Sequence, residues 1–417
     1  MNRTNPGSLA EIARLFFKLG AIGFGGPAAH IAMMEDEVVQ RRKWLSQEAF
    51  LDLIGATNLI PGPNSTEMAI HVGYLCGGWP GLMVAGACFI LPAVAVTATL
   101  AWGYISFGAL PQVAPLLYGI KPAVLAVVLA ALWRLGKKAV KSKQLLLIGF
   151  AVVLLLLLTN LGAVVALLLG GVLGAVWLRW RDRNPPTSSN RQSGLLVASS
   201  LAERLALAGG SATGAIATAS STAASTTTLW QLGLFFLKIG CVLFGSGYVL
   251  VAFLEKGLVA ERGWLTQQQL LDAIAIGQFT PGPVSSTATF IGYLIAGLPG
   301  AIVATAGIFL PSFGFVAALN PLIPKLRSAK LTAAFLDAVN VSAVALMTVV
   351  TLTLAQATLL VPSEATGLGF SLDWVAVAIA LLAAIALLRF RLNAAWLVLG
   401  GAMVGWASQQ LGWLNAS

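Results

Sequence analysis

Several long stretches of this chain carry almost no charged residues. A helix of about 20 apolar residues spans a hydrocarbon core of about 30 Å, and its backbone groups are hydrogen-bonded within the helix. The stretches of this kind include residues 81–106, 113–133, 144–159, 161–180 and 374–388. Because 58% of the 417 residues are hydrophobic and only 10% are charged, the sequence predicts an all-α polytopic membrane protein.

The net charge of +10 does not indicate a nucleic-acid-binding protein. The basic residues form short clusters between the apolar stretches, which is typical of membrane topology signals. The first apolar segment carries Glu11, Arg14 and Lys18 and has no small-residue cleavage site. We therefore expect this segment to be retained.

The chain contains the same domain twice. With an offset of 220 residues, Lys18, Glu35, Arg42, Trp44, Asp52, Pro61, Gly62 and Pro63 recur as Lys238, Glu255, Arg262, Trp264, Asp272, Pro281, Gly282 and Pro283. Residues 181–228 are rich in Ser, Thr, Ala and Gly, a composition typical of linkers. We predict a first domain at 1–180, a flexible cytoplasmic linker at 181–228 and a second domain at 229–417.

The basic clusters predict that the two domains face opposite ways. Residues 134–143, which follow the apolar stretch 113–133, hold five lysines and arginines. In the second domain Lys325, Arg327 and Lys330 instead precede the matching stretch, 331–350. Because basic clusters mark the cytoplasmic ends of membrane helices, these two helices should run in opposite directions.

An inverted repeat is the architecture of many secondary transporters, in which the substrate site lies near the membrane midplane between the repeats. Inversion requires an odd number of crossings in each copy. Five crossings fit if residues 46–77 and 267–296 are re-entrant hairpins. The sequence thus predicts two homologous helical domains with helices broken at Gly and Pro, roughly 10–12 membrane segments, and both termini outside.

The Pro-Gly-Pro triplets at matched positions of both copies indicate a binding site. Proline ends the preceding helix, and the helix that restarts directs unpaired N–H groups and its positive dipole end into the gap, which favours an anion. We expect the following "NST" and "VSS" side chains to cap the new helices. The predicted anion-binding residues here are Pro61, Gly62, Pro63, Asn64, Ser65, Thr66, Pro281, Gly282, Pro283, Ser285 and Ser286.

A second pair of breaks lies upstream, at "GFGGP" (23–27) and "LFGSG" (243–247). Glycine lets a backbone approach a bound group closely. We therefore add Gly25, Gly26, Pro27, Gly245, Ser246 and Gly247 to the predicted site, with four breaks converging near the midplane. The alternative is that each kink only serves helix packing.

Two charged residues within the apolar stretches are further candidates. Lys121 lies inside such a stretch and would face the anion as a positive charge; the alternatives are a snorkelling lysine or an ion pair with Asp337. Glu67 follows the first Pro-Gly-Pro and either exchanges a proton or caps the helix N-terminus. The repeat places Asn340 and Thr287 at the matching positions.

Other charged residues occur as matched pairs, and we take them as coupling or gating candidates together with Glu67. They are Lys18, Glu35, Arg42, Asp52, Lys238, Glu255, Arg262 and Asp272. Interface anchoring and ion pairing explain Glu35, Arg42, Glu255 and Arg262 equally well. The sequence shows no nucleophile–base arrangement, nucleotide loop or metal-ligand spacing, so we expect neither an enzyme nor a cofactor.

In these residues the chain resembles the chromate ion transporter family in its long, two-domain form. The motifs FGGP (24–27), RKWL (42–45), FLD (50–52) and PGP (61–63) stand in the family's order, and the resemblance covers nearly all of the chain except the linker. It implies a bacterial inner-membrane protein that exports chromate, with sulfate as a structural analogue. Ser246 and Gly247 replace part of FGGP in the second copy, so equal roles for the two sites do not follow.

Export is physically reasonable, since a dianion gains about 2.3 kcal/mol per charge per 100 mV on leaving a negative cytoplasm. Three other interpretations stay open at this point: a sulfate or other oxyanion permease, a polytopic membrane enzyme that uses Glu67 or Asp52, and a sensor or scaffold that transports nothing. The expected partners are chromate and the lipid bilayer. A homo-oligomer is compatible with the sequence, which does not fix the oligomeric state.

Overall fold

The computed structural model describes residues 8–24, 26–108, 114–159, 162–183, 229–244, 247–319, 330–362, 370–390, 392 and 394–410. Residues Val176–Thr226 separate from the rest of the chain as a unit of their own. The predicted linker, apart from residues 181–183, lies outside the described residues. The two repeats belong together to the other unit.

The first repeat is helical. Its helices are α1 (Leu9–Ile22), α2 (Pro27–Glu35) with a π-helical turn at Asp36–Arg41, α3 (Gln47–Thr57), α4 (Asn64–Phe107), α5 (Ala114–Ala139), α6 (Lys143–Leu158) and α7 (Ala163–Arg183). Ser8 begins α1 with a capping box to Glu11, and Ser46 caps α3, as expected of hydroxyl side chains at helix starts.

The second repeat follows the same order. It consists of α8 (Leu229–Gly240), a 3₁₀ turn (Gly247–Val249), α9 (Leu250–Leu254) with a π-helical turn (Glu255–Ala260), α10 (Gln267–Phe279), a 3₁₀ turn (Val284–Ser286), α11 (Thr287–Leu319), α12 (Lys330–Leu359), β1 (Leu360–Pro362), β2 (Phe370–Leu372), α13 (Trp374–Arg389) and α14 (Ala394–Gln410). The antiparallel β1–β2 ribbon is an addition that the all-α prediction missed.

The helices α1 and α2 form a hairpin. The chain turns through Gly26, whose φ is +79°, and Pro27 starts α2. Lys18 Nζ then lies 2.8 Å from Glu37 Oε1, whereas a helix continuing for 19 residues would separate these positions by almost 30 Å. The turn at Gly26 thus brings Lys18 of α1 close to Glu37, directly after α2.

A second hairpin consists of α3 and the first part of α4. Within α4, Gly78 has a φ of +63°, and a methyl group on Gly73 would overlap the backbone of Gly81. Eight residues of straight helix would hold these two glycines about 12 Å apart, so the chain reverses at Gly78. Gly297 marks the matching reversal in α11, and both breaks occur where the sequence predicts hairpins.

Contacts between the repeats show that they are inverted. Gly86 of α4 packs against the ring of Phe313 in α11, and Leu82, one turn earlier, shares a cluster with Val316, which lies later in α11. The two helices are thus antiparallel. At the far end of α4, Tyr104 reaches Asp272 of α10, so the hairpin of the second repeat enters from the opposite side. The predicted inverted repeat is confirmed.

Membrane length fits the long helices. Among the described residues, four helices are long and apolar enough to span a bilayer: Asn64–Phe107, Pro115–Ala139, Val284–Ala318 and Thr332–Leu359. Shorter apolar helices pack beside them, with glycines at the contacts; Gly119 of α5 meets Gly401 and Gly405 of α14. Such close backbone approach is typical of membrane helix packing.

We call the end of α5 with Lys137, Lys138 and Lys141 the basic side. Gly77, at the start of the returning segment of α4, contacts Leu9, so α1 begins at the end of α4 opposite to Tyr104. Lys121, near the start of α5, interacts with Asp272, which is bonded to Tyr104. The start of α5 therefore lies at the Tyr104 end of α4, and its basic end lies on the opposite side, with Leu9. The start of α1 therefore lies on the basic side, which the same charge rule assigns to the cytoplasm, whereas the sequence alone favoured an N-terminus outside.

Labelling of single cysteines tests the inversion. Glu48 and Gln268 are exposed residues in the first turns of the matching helices α3 and α10. In a chain whose three cysteines are replaced by alanine, we expect Glu48→Cys to react with a membrane-impermeant maleimide only from the cytoplasm, and Gln268→Cys only from outside. Lys143→Cys serves as the cytoplasmic control. Labelling of both test positions from one side would contradict the inverted arrangement.

Candidate functional site

The four helix breaks meet at the centre of the molecule. The Gly62 N–H donates a hydrogen bond of 2.7 Å to the carbonyl of Leu243, and the Gly282 N–H donates one of 2.7 Å to the carbonyl of Gly23. Since Gly62 matches Gly282 and Gly23 matches Leu243, each Pro-Gly-Pro is bound to the upstream break of the other repeat. The structure thus brings the breaks together as predicted.

Local geometry explains why each triplet interrupts its helix. Proline has no N–H to donate, and Gly62 and Gly282 adopt φ values of +147° and +93°, which other residues rarely adopt. After the break, α4 begins with Pro63 as its N-cap and no side-chain capping bond, and Pro283 plays the same part. The expected caps from "NST" and "VSS" are therefore wrong, and the first N–H groups of both helices stay free of side-chain caps.

Buried hydroxyl groups surround these helix starts. Thr66 Oγ1, Ser285 Oγ and Ser312 Oγ are buried and have no hydrogen-bond partner among the described residues. Ser286 accepts a bond of 3.3 Å from Thr97 of the other repeat. Sequence reasoning missed Ser312 and Thr97, although Ser312 directly follows Pro311, one of the prolines that recur in both repeats. An oxyanion can accept hydrogen bonds from free N–H groups and hydroxyls of this kind.

A cavity of about 310 Å³ leads from the basic side towards the first break. Its lining includes Lys138 and Lys141 of the basic side and Asn58, three residues before the first Pro-Gly-Pro. Asn58 Oδ1 accepts a bond of 3.1 Å from Asn64 Nδ2, and Asn64 is the first residue of α4. At about 30 Å³ per water, the cavity has room for an oxyanion with part of its hydration shell.

Asp337 borders the same cavity. Its carboxylate accepts a bond of 2.7 Å from Lys141 Nζ, and it lines the cavity together with Asn340. The alternative pairing of Asp337 with Lys121 is therefore wrong. Lys138 has no ion-pair partner within the described ranges and faces the cavity as a free positive charge.

Lys121 belongs to a cluster on the opposite side. Its ammonium group interacts electrostatically with Asp272, and the Tyr104 hydroxyl donates a bond of 2.8 Å to Asp272 Oδ2. Asp272 is 1% exposed, whereas its counterpart Asp52 is exposed. The hairpin that begins with α10 in the second repeat is therefore buried at this position, whereas the hairpin that begins with α3 in the first repeat is exposed.

The charged residues of the first hairpin converge on Glu37, which sequence reasoning missed. Glu37 binds Lys18 at 2.8 Å and Arg42 through a short contact, and these partners hold the pKa of the Glu37 carboxyl below its usual value, Lys18 with the larger effect. The Glu35 carboxylate instead accepts a bond from Gln47. Arg42 also lies over the ring of Trp44, so this group holds α1 and α2 together.

Among its described residues, the matching α8–α9 region of the second repeat has no such ion-pair cluster, because Gly257 replaces Glu37. Arg262 donates a bond of 3.0 Å to the Gly257 carbonyl and lies over the rings of Phe235 and Trp264. Lys238 is exposed, and Glu255 is partly buried. These matched residues therefore brace the hairpins and do not meet at the breaks.

The upstream breaks are described only in part. Gly25, Gly245 and Ser246 lie outside the described residues. Gly26 is buried, and a methyl group there would lie 3.2 Å from the Tyr248 hydroxyl of the other repeat; Gly247 is buried as well. His30 is buried against the Gly23 carbonyl at 2.8 Å. Searched over the described residues, the structure holds no group of three His, Cys, Asp or Glu side chains suited to a metal.

Comparison with known proteins gives a consistent result. The sequence model of the family described as "Chromate transporter" matches residues 10–175 and 230–406. The chain is 32% identical to the "Chromate transport protein" of Cupriavidus metallidurans over 95% of its own length and 92% of the relative's. No solved structure matches it.

Two further relatives carry similar names. The "Chromate transport protein" of Pseudomonas aeruginosa is 30% identical over 96% of this chain and 92% of its own. The "Probable chromate transport protein" of Synechococcus elongatus is 32% identical over 80% of this chain and 81% of its own. The similarity therefore includes both repeats.

Proposed function

Because this chain belongs to the chromate transporter family, we propose that it is a secondary transporter that exports chromate from the cytoplasm across the bacterial inner membrane and so confers chromate resistance. The observation that carries this proposal is that two uncapped helix starts each follow a Pro-Gly-Pro bound to the upstream break of the other repeat. The residues that would bind the anion are the Pro-Gly-Pro triplets with Asn64, Ser65, Thr66, Ser285 and Ser286.

The cavity supports entry from the cytoplasm. Its lining includes Lys138 and Lys141 of the basic side and Asn58 beside the first break, where Asn58 is exposed, whereas its counterpart Gln278 at the second break is buried. An anion in the cytoplasm would therefore meet Lys138 first and the start of α4 next. Exposure of the site to one side at a time is what alternating access requires.

The membrane potential supplies a sufficient driving force. A dianion leaving a negative cytoplasm gains about 2.3 kcal/mol per charge per 100 mV, which sustains roughly a thousandfold gradient without a coupled ion. N–H and hydroxyl donors do not by themselves separate chromate from sulfate, since both are tetrahedral dianions.

Efflux of labelled chromate from proteoliposomes tests the proposal. We expect wild-type protein to accelerate chromate efflux when the interior is negative, and excess sulfate to compete for the same N–H and hydroxyl donors. Efflux no faster than in protein-free vesicles would overturn the proposal. Equal transport of the two anions would favour an oxyanion permease instead.

A matched pair of variants tests the entry route. Lys138 lines the cavity, whereas its neighbour Lys137 stacks over Trp133. Since two unit charges about 4 Å apart in bulk water interact with about 1 kcal/mol, we expect Lys138→Gln at the hydrated cavity to raise the half-saturating cytoplasmic chromate concentration about fivefold. Lys137→Gln removes the same charge and should leave this concentration nearly unchanged. Equal effects would show that only the overall charge matters.

A further inference from the structure

The Glu67 side chain is completely buried, and neither carboxyl oxygen has a hydrogen-bond partner among the described residues. Glu67 lies in the first turn of α4, directly after the first break. A buried carboxylate without a partner or counter-charge is costly in free energy. The site therefore needs a positively charged ligand, or a proton, when no other group compensates the carboxylate.

The neighbours of Glu67 form a compact polar group from both repeats. A methyl group on Gly62 would overlap Glu67 Oε1 and lie 2.5 Å from Ser312 Oγ, so both oxygens border the same small space. Ser312 comes from α11 of the second repeat, and its hydroxyl is buried without a partner within the described part of the chain. Both groups are thus available to one small ligand.

The titratable surroundings are sparse. His71, one turn further along α4, is buried, and neither ring nitrogen has a partner in the described ranges. From the other elements around Glu67, no charged side chain of the described residues interacts with its carboxyl. Protonation of Glu67 would therefore change the charge at the helix start without compensation nearby.

The second repeat has no such group. Thr287 stands at the position of Glu67 and donates a bond of 2.8 Å to the Val284 carbonyl, and the residue beside Gly282 is Ala93. The carboxyl site is therefore a special feature of the first break, the one that the cavity approaches. This asymmetry is not needed for packing, because Thr287 satisfies the same position with a local bond.

We propose that Glu67 binds one proton together with the transported dianion and that the two cross the membrane in the same direction. The proton resides on the Glu67 carboxyl group and leaves from it; no covalent bond to the anion forms. A carboxylate in the first turn of α4 repels a dianion at that helix start, and its protonation removes the repulsion. This inference rests on the proposed function.

The coupling has a definite sign. Each proton bound to Glu67 favours anion binding, and by linkage each bound anion favours the proton. Affinity for the anion therefore rises as the pH falls on the side to which the site is open. The limit is about a tenfold change in affinity per pH unit while Glu67 is mostly ionised.

The test uses the full chain in proteoliposomes with labelled chromate and a trapped pH-sensitive dye. It compares wild type with Glu67→Gln and with Glu48→Gln, a control that removes an exposed carboxylate in α3. We expect the half-saturating chromate concentration of wild type and the control to fall severalfold on acidification by one unit, with proton movement alongside the anion. Glu67→Gln should exchange chromate with neither effect beyond the titration of chromate itself, which all three proteins share.

The outcomes separate this inference from the proposed function. A Glu67→Gln protein with the wild-type pH response, or a wild type that responds to a sodium gradient and not to pH, overturns the proton site. A wild type that moves no oxyanion overturns the proposed function instead. Should Glu67→Gln fail to fold, Ser312→Ala replaces it; we expect the pH response to shift, and an unshifted response contradicts the site.

Discussion

Gly62→Ala is expected to reduce chromate transport at least about 100-fold, an effect that corresponds to roughly 3 kcal/mol. Gly62 has a φ of +147°, and its missing side chain leaves the space that the Glu67 carboxyl and Ser312 hydroxyl occupy. An added methyl group must displace one of them or the loop itself. Displacing the loop breaks the hydrogen bond from Gly62 to Leu243 that joins the two repeats.

Gly103→Ala is the matched control for this substitution. Gly103 lies in α4, and no atom occupies the space within 4 Å of an added methyl group. Alanine is a better helix former than glycine, so this variant should transport normally. Transport by each variant is compared at equal amounts of purified, monodisperse protein, which separates loss of the site from loss of the fold. Normal flux through Gly62→Ala would show that the break tolerates rearrangement.

The sequence was most informative where structure depends on local chemistry. Pro61 and Pro63 end a helix whatever surrounds them, because the missing donor belongs to the residue itself. The reversals at Gly78 and Gly297 were not predicted, although both glycines recur in the repeats and their positive φ values favour glycine. Because the domain is duplicated, these prolines and glycines occur at matching positions in both repeats. The basic clusters at opposite ends of the matching helices indicated that the repeats are inverted.

Features that depend on distant contacts could not be predicted in this way. The reversal between α1 and α2 becomes evident from Lys18 and Glu37, which are 19 residues apart and meet only in the folded chain. Glu37 was not predicted because the comparison of the repeats selected charged residues present in both copies, and the position that matches Glu37 is occupied by Gly257. A search for charges that differ between the repeats would have found Glu37 and would have emphasised Glu67.

The matched aspartates show a further limit. Asp52 and Asp272 occupy the same place in the repeat, yet one is exposed and the other 1% exposed. Identical sequence motifs cannot predict different burial. The difference arises because the hairpin of α10 packs against α5, while α3 borders an open cavity at Asn58 and Leu59. When an inverted repeat is open to one side of the membrane only, matched residues of its two copies must differ in burial.

The packed side leads to the second large effect, expected for Lys121→Met. This variant should lower the stability of the purified protein by about 2 kcal/mol and transport about tenfold or more, because the buried Asp272 carboxylate loses the nearby positive charge that compensates it. Asp272 would keep the bond from Tyr104 but lose the electrostatic interaction with Lys121.

A double variant distinguishes this cause from a direct contact with the anion. Lys121→Met combined with Asp272→Asn removes both charges and retains an oxygen that Tyr104 can bond, so it should recover most of the lost stability. If Lys121 only braces Asp272, transport recovers with stability; if it also attracts the anion, transport stays low. Lys143→Met, at an exposed lysine in the first turn of α6, is the control for loss of charge. An unfolding temperature that is unchanged in Lys121→Met, or that the double variant does not restore, would contradict the interaction of Lys121 with Asp272. The packing on the side opposite the cavity would then not depend on this interaction.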